Sequence, residues 1–261
     1  MLKVRVIPVL LIQDGLLKKP VQFKNPRTVA NPLTIVRVFE ERQVDELILL
    51  DIGITVDNDE IDPQLVRDIS EELTVPFAFG GGLDSLKAMT EIIQAGAEKV
   101  VLNSACVKNP SLISEGAKKF GSQCIVVSID ALRCENNYKV FIKSGSEETS
   151  LDPVEWAKEV ESRGAGEILI NSISHEGMMQ GYDLELIQMI TEAVSIPVIA
   201  AGGASCLKDF VDVVKKCKAS AVGAGSIYHY TKFTPNMIKG ILRDNDVPVR
   251  VYPEINYRYD Y

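Results

Sequence analysis

Short runs rich in β-branched and other apolar residues alternate along the chain with longer stretches of helical period. The runs are Val4 to Leu11, Leu47 to Ile52, Pro76 to Phe79, Lys99 to Leu102, Cys124 to Ile129, Glu167 to Ile170, Pro197 to Ala200 and Ala219 to Val222, which makes eight expected strands. Their near-continuous apolar character predicts strands covered on both faces, as in a parallel sheet wrapped by helices. Pro63 to Leu73, Ser85 to Ala95, Pro153 to Arg163 and Leu184 to Val194 have the amphipathic spacing of the covering helices.

An internal repeat organises these elements. Val75-Pro76-Phe77-Ala78-Phe79-Gly80-Gly81-Gly82 lies without gaps on Ile196-Pro197-Val198-Ile199-Ala200-Ala201-Gly202-Gly203, at an offset of 121 residues. At the same offset Asp45 to Ile52 lies on Gly166 to Ile173. Two four-strand halves of βα units predict an α/β fold, a (β/α)₈ barrel built from duplicated half-barrels, with its site where the strands end. A doubly wound open sheet is the alternative, but it gives no reason for the duplication. Arg133 to Ser150, with alternating Tyr138-Lys139-Val140-Phe141-Ile142, reads as a hairpin inserted after strand five. Residues 1–250 are expected to form the single barrel domain and 251–261, rich in tyrosine, a C-terminal tail.

Composition narrows the functional classes. The chain has 261 residues, 28 Lys+Arg against 36 Asp+Glu, and a formal charge of −8, which argues against nucleic acid or an anionic membrane as the main partner. A chain of this length needs neither disulfides nor a structural metal to hold its core. The five cysteines form no Cys-x-x-Cys pair and read as reduced thiols. No stretch reads as a signal peptide or a membrane span, so a cytoplasmic location is expected.

Candidate chemistry gathers at the strand ends. Gly80-Gly81-Gly82 and Gly202-Gly203 each close a strand before a helix whose first turn has free N–H groups, an arrangement that binds phosphate. The plainer reading is that these glycines only permit tight turns. The repeat-related small loops Asn103-Ser104 and Ala224-Gly225-Ser226 favour two phosphate sites across the barrel mouth. No His, Cys and carboxylate grouping has metal-ligand spacing, and no cofactor is expected.

Phe120 to Asp130, Gly164 to Leu169, Gly181-Tyr182-Asp183-Leu184 and Ile199 to Ala204 resemble the cyclase subunit family of imidazole glycerol phosphate synthase, HisF, over roughly residues 1 to 250. The resemblance implies a duplicated barrel that binds a substrate with two phosphates and takes ammonia from a HisH-like glutaminase subunit docked at its N-terminal face. It implies substrate and phosphate contacts at Gly81, Gly82, Asn103, Ser104, Asn171, Glu176, Gly177, Gly202, Gly203, Ala224, Gly225 and Ser226. It places a catalytic aspartate at Asp130, with Asp51 and Lys19 as further catalytic candidates. Asp51 reads equally as a cap on the next turn, and Lys19 as a solvated loop lysine.

The match fails at one catalytic position. The carboxylate that the family carries at the end of the first strand falls on Leu11, and leucine moves no proton. Asp14 lies three residues on and is no simple substitute. The loop after strand six reads Ser174-His175-Glu176-Gly177, and Ala201 replaces a small polar residue, so the mouth is rebuilt. His175 reads first as a surface loop residue and His229 as packing.

At the opposite end Arg5, Glu46, Lys99 and Glu167 match, in sign, a ring of charges that the resemblance identifies as the ammonia gate. Taken alone, charges at strand starts are solvated bottom-face residues; the four-residue match argues for the ring. Glu98 and Gln123 are expected at the glutaminase interface. The bottom ring is expected roughly 20 Å below the mouth.

Leu11, with Leu16-Leu17-Lys18 and Phe23-Lys24-Asn25-Pro26, looks closer to a HisF-like branch associated with converting an acetamido to an acetamidino sugar in surface polysaccharide (LPS O-antigen) synthesis. A third, ATP-dependent sugar amidotransferase protein and a phosphorylated or nucleotide-sugar substrate would then be partners. The alternatives are the histidine-pathway cyclase and a non-catalytic ammonia conduit.

Overall fold

The computed structural model describes residues 3–54, 61–135 and 137–252. Its elements run β1 (Arg5–Gln13), β2 (Leu16–Val21), β3 (Lys24–Ala30), α1 (Pro32–Glu41), β4 (Leu47–Asp51), α2 (Pro63–Glu72), β5 (Phe77–Gly80), α3 (Leu86–Gln94), β6 (Lys99–Leu102), α4 (Ser104–Lys108), α5 (Ser111–Phe120) and β7 (Ile125–Cys134). They continue as β8 (Asn137–Ile142), β9 (Glu147–Glu148), α6 (Pro153–Ser162), β10 (Glu167–Ser172), α7 (Leu184–Ala193), β11 (Val198–Ala201), α8 (Leu207–Cys217), β12 (Ala221–Ala224), α9 (Ser226–Tyr230) and α10 (Pro235–Asp244).

Eight of these strands pair in parallel in the cyclic order β1-β4-β5-β6-β7-β10-β11-β12, and β12 returns to β1. The sheet is therefore closed, a (β/α)₈ barrel, and the open-sheet alternative falls. All eight expected strands are present, each displaced by a few residues at most at its ends except β7, which runs on into the inserted hairpin.

The period-2 alternation of each strand sorts its side chains between two cores. Outward residues such as Val6, Leu47, Phe77, Val100, Val127, Ile168 and Val198 pack against the helices. Inward residues Ile7, Ile48, Ala78, Val101, Val126, Leu169, Ile199 and Ala221 fill the barrel interior. Both faces are thus buried, which is why the strands read as unbroken apolar runs. The helices start where the sequence supplies caps. Asn31, Asp62, Asp152 and Thr234 each accept a backbone N–H, and proline follows each of them in the first turn. Asn31-Pro32 and Asp152-Pro153 are again 121 residues apart, so the duplication extends to helix initiation.

Two hairpins stand on the mouth. The insertion after β7 is present as β8 and β9, as expected. A second hairpin, β2 and β3, fills what the sequence suggested was a plain loop after the first strand. Its signal was the Asp14-Gly15 pair, both at positive φ in a two-residue turn. Pro20 and the largely exposed polar face of β3 hid it. Among the described residues no helix is long and apolar enough to cross a membrane.

Candidate active site

The strand ends open into a cavity of about 660 Å³. Its lining includes Asp130, Asp51, Lys19, Gly81, Gly82, Asn103, Ser104, Asn171, Glu176, Gly202, Ala224 and Gly225, so most of the expected site residues meet in one place. Gly177, Gly203 and Ser226 line an adjoining cleft of about 10 Å³, the scale of one water.

Asp130 ends the inward series Val126, Ser128, Asp130 on β7 and is 6% exposed. Asn103 Nδ2 donates to its Oδ2 at 2.6 Å and Ser128 Oγ to its Oδ1 at 3.5 Å. Burial pushes the Asp130 carboxyl up to about 7; the Asn103, Ser128 and Asn171 hydrogen bonds oppose that rise, and the nearby Glu176 charge adds to it. A carboxyl at that value is part protonated and part ionised at neutral pH, the condition for general acid/base work.

Lys19 lies in β2, not in a solvated loop, and is buried against Glu176, with which it forms an ion pair. Asp51 accepts from Gly53 N at 3.0 Å and Ile54 N at 3.4 Å, so it caps the following turn while still facing the cavity. Leu11 lines the cavity with Val9 and Leu50, an apolar wall where the resemblance places a carboxylate. Asp14 sits exposed in the β1–β2 turn, 3.7 Å from Lys18.

The glycines have a structural reason to be glycine. Gly81, Gly82, Gly202 and Gly203 all have positive φ, and a Cβ on Gly202 would stand 2.5 Å from Asn171 Oδ1. The plainer reading of tight turns is therefore correct as far as it goes. Two further observations favour a polar ligand. The short helices α4 and α9, entered from Asn103 and Gly225, lack side-chain caps. Asn103 Oδ1, Asn171 Oδ1 and Ser226 Oγ are buried without a hydrogen-bond partner among the described residues. Ser104 Oγ instead accepts from Lys143 N at 2.9 Å, so its hydroxyl already anchors the β8–β9 turn. Lys108 and Lys143 add positive charge on that side of the cavity. The sequence offered no sign of them, because the inserted hairpin alone brings Lys143 to the mouth.

The two histidines divide. His175 is not a free surface residue: its Nδ1 lies 3.0 Å from Ser172 Oγ and 3.5 Å from Asp183 Oδ2, and Asp183 also accepts from Tyr138 OH at 2.9 Å. His229 is partly buried, and burial followed by the Lys19 charge lowers it to about 4, so it packs as a neutral ring.

At the other end of the barrel Arg5, Glu46, Lys99 and Glu167 close a four-membered ring. Arg5 reaches Glu46 at 2.5 Å and also pairs with Glu167; Lys99 reaches Glu46 at 2.7 Å and Glu167 at 3.1 Å. Burial works against the Arg5 charge, but the hydrogen bonds and charges of Glu167 and Glu46 outweigh it and hold the guanidinium above its ordinary value. The ring caps the apolar column whose top is Asp130. Glu98 and Gln123 are exposed near the strand starts, Glu98 accepting from Phe77 N at 2.9 Å. Among the described residues no group of three His, Cys, Asp or Glu side chains could hold a metal ion.

A closed parallel barrel with a buried carboxylate among the cavity-lining residues at its C-terminal mouth defines the class of (β/α)₈ barrels. The family described as histidine biosynthesis protein matches residues 5–234, and the chain belongs to it. It is 44% identical over 252 residues to the imidazole glycerol phosphate synthase subunit HisF of Hydrogenobaculum sp. (strain Y04AAS1), covering 96% of this chain and 100% of the relative. HisF of Natranaerobius thermophilus is 40% identical over 251 residues and that of Anoxybacillus flavithermus 42% over 252, each with 96% and 100% covered. These relatives support the cyclase alternative rather than the polysaccharide branch to which the sequence pointed first.

Proposed function

We propose that this barrel is the ammonia-using cyclase subunit of an imidazole glycerol phosphate synthase, joined at its N-terminal face by a HisH-like glutaminase. The observation that carries the reading is the axial arrangement of one interior. The charged ring of Arg5, Glu46, Lys99 and Glu167 lies at the bottom, apolar residues fill the middle, and Asp130 stands at the top with its carboxyl near 7. Neutral ammonia crosses an apolar column at far lower cost than an ammonium ion. At the mouth, Asp130 gives or takes the proton while the uncapped turns beside Asn103 and Gly225 hold the phosphates of the substrate. Glu98 and Gln123 face the glutaminase.

One observation favours a second reading. Leu11 presents a methyl surface to the cavity where the histidine-pathway reaction calls for a second carboxylate. With that group missing, the acceptor is the acetamido group of a sugar in surface polysaccharide synthesis, aided by an ATP-dependent amidotransferase protein. The barrel itself then conducts ammonia or catalyses its addition.

Purified protein, supplied with ammonium salt and the two-phosphate ribonucleotide of the histidine pathway, separates the two. Formation of imidazole glycerol phosphate at a rate near that of an ordinary cyclase supports the first reading. No product from the wild type, with product gained in Leu11→Asp, supports the second. No product from either protein removes the first reading and leaves the acetamido-sugar acceptor or the conduit.

A further inference from the structure

Leu11 removes one carboxylate from the mouth, yet a second carboxylate is buried there on a different element. Glu176, in the loop after β10, lines both the cavity and the adjoining cleft and is 8% exposed. It is held at two points by one hairpin. Lys19 Nζ of β2 forms a buried ion pair with it, and its backbone carbonyl accepts from Gln22 N at 2.8 Å, in the turn of the same hairpin. Gly177 packs directly under Pro20 and Val21, where a Cβ would stand 2.6 Å from the Pro20 carbonyl oxygen. The side chain is therefore fixed across the mouth, close enough for its charge to be felt at Asp130. The remaining charged groups lining this cavity are Asp51, Asp84, Lys108 and Lys143, with His229 near enough to Lys19 to feel its charge.

We propose that Glu176, held by Lys19, is the proton acceptor that works opposite Asp130 when ammonia adds to the carbonyl carbon of the acceptor, a role that rests on the function proposed above. The environments of the two carboxylates differ in the sense such a division of labour needs: Asp130 has only neutral donors, while Glu176 has a cation at hydrogen-bond range. In the step, the nitrogen lone pair forms the C–N bond and the carbonyl π pair moves to oxygen. That oxygen takes the Asp130 proton, the surplus proton on nitrogen passes to Glu176, and a carbinolamine results. Water returns a proton from Glu176 to Asp130. Lys19 is a positioning residue: its buried ion pair holds the Glu176 carboxylate in place and aims it into the cavity.

Two measurements test this. In protein carrying carbon-13-labelled aspartate, with Asp130→Asn to identify the resonance, Glu176→Gln should lower the Asp130 titration midpoint by about half a pH unit or more, since a like charge is removed. With ammonium salt and the acceptor that the wild type uses, Glu176→Gln should lower kcat by about 100-fold or more with little change in KM, and erase one limb of the pH profile. Glu176→Asp should keep part of the rate, and guards against loss of folding in the amide variant. Lys19→Met should lower kcat in the same sense as Glu176→Gln, but by less and with little change in KM, since the carboxylate stays but is no longer aimed. An unmoved Asp130 midpoint, or a Glu176→Gln enzyme with wild-type kcat and both limbs, overturns the assignment. Wild-type protein inactive with both acceptors, the Asp130 shift notwithstanding, overturns the proposed function and this step with it.

Discussion

Lys99→Ala probes the ring at the base of the barrel. Lys99 is the cation shared between Glu46 and Glu167, whose side chains are only 3% and 7% exposed. Breaking a fully buried ion pair costs about 3 to 5 kcal/mol and an exposed one about 0 to 1 kcal/mol. Lys99 itself is 19% exposed and Arg5 continues to serve both carboxylates, so the expected loss lies between these limits, at about 2 kcal/mol. For a domain of this size that corresponds to a fall in Tm of roughly 4 to 8 °C. Urea denaturation of the isolated barrel measures it. Lys208→Ala serves as control, since Lys208 is 80% exposed and 3.9 Å from Asp212, and should change stability by less than about 0.5 kcal/mol. The sharper test is the pair Lys99→Met and Glu167→Gln. Each single variant leaves the ring with one unit of net charge, and the double variant is neutral again, so the double should be less destabilised than the sum of the singles. Additive losses, or a Lys99→Ala protein no weaker than the Lys208 control, would mean that the four charges are solvated individually and form no coupled ring.

Asp130 titrates near 7 in the folded chain against an ordinary value of 3.8, so between those values the folded state holds more protons and stability falls as pH rises through the window. Asp130→Asn should therefore abolish turnover yet raise stability at pH 8 by on the order of 2 to 4 kcal/mol, with no gain at pH 3, seen as a diverging pair of urea curves. Gly203→Ala, forced to a φ of 102° against the Gly181 carbonyl, should lower Tm and weaken inorganic phosphate binding in calorimetry; retention of both would remove this turn from the site. Glu98→Lys should weaken association with a HisH-like glutaminase at least about tenfold in a pull-down titration while ammonium-dependent turnover is kept, and unchanged association would place the interface elsewhere.

The architecture is legible in the chain alone. A duplicated order of apolar runs at a 121-residue offset admits little besides a closed barrel, because each strand must be buried on both faces and the two halves must pair alike. So, too, the two ends of the interior are legible, since period-2 alternation from Arg5 and Glu167 carries the chain to Leu11 and Asn171 on the same face. The chemistry of the mouth, by contrast, arises only on folding. Lys19, Glu176, Lys108 and Lys143 lie on different segments, and their approach depends on how two hairpins fold back over the strand ends, which no local pattern encodes. The same holds for His175, whose partners Ser172 and Asp183 flank it in sequence but are brought to its ring by the turn of the loop. The shift of Asp130 to about 7 is likewise a property of its surroundings: the residue type fixes only the unperturbed value, and the fold supplies the burial that moves it.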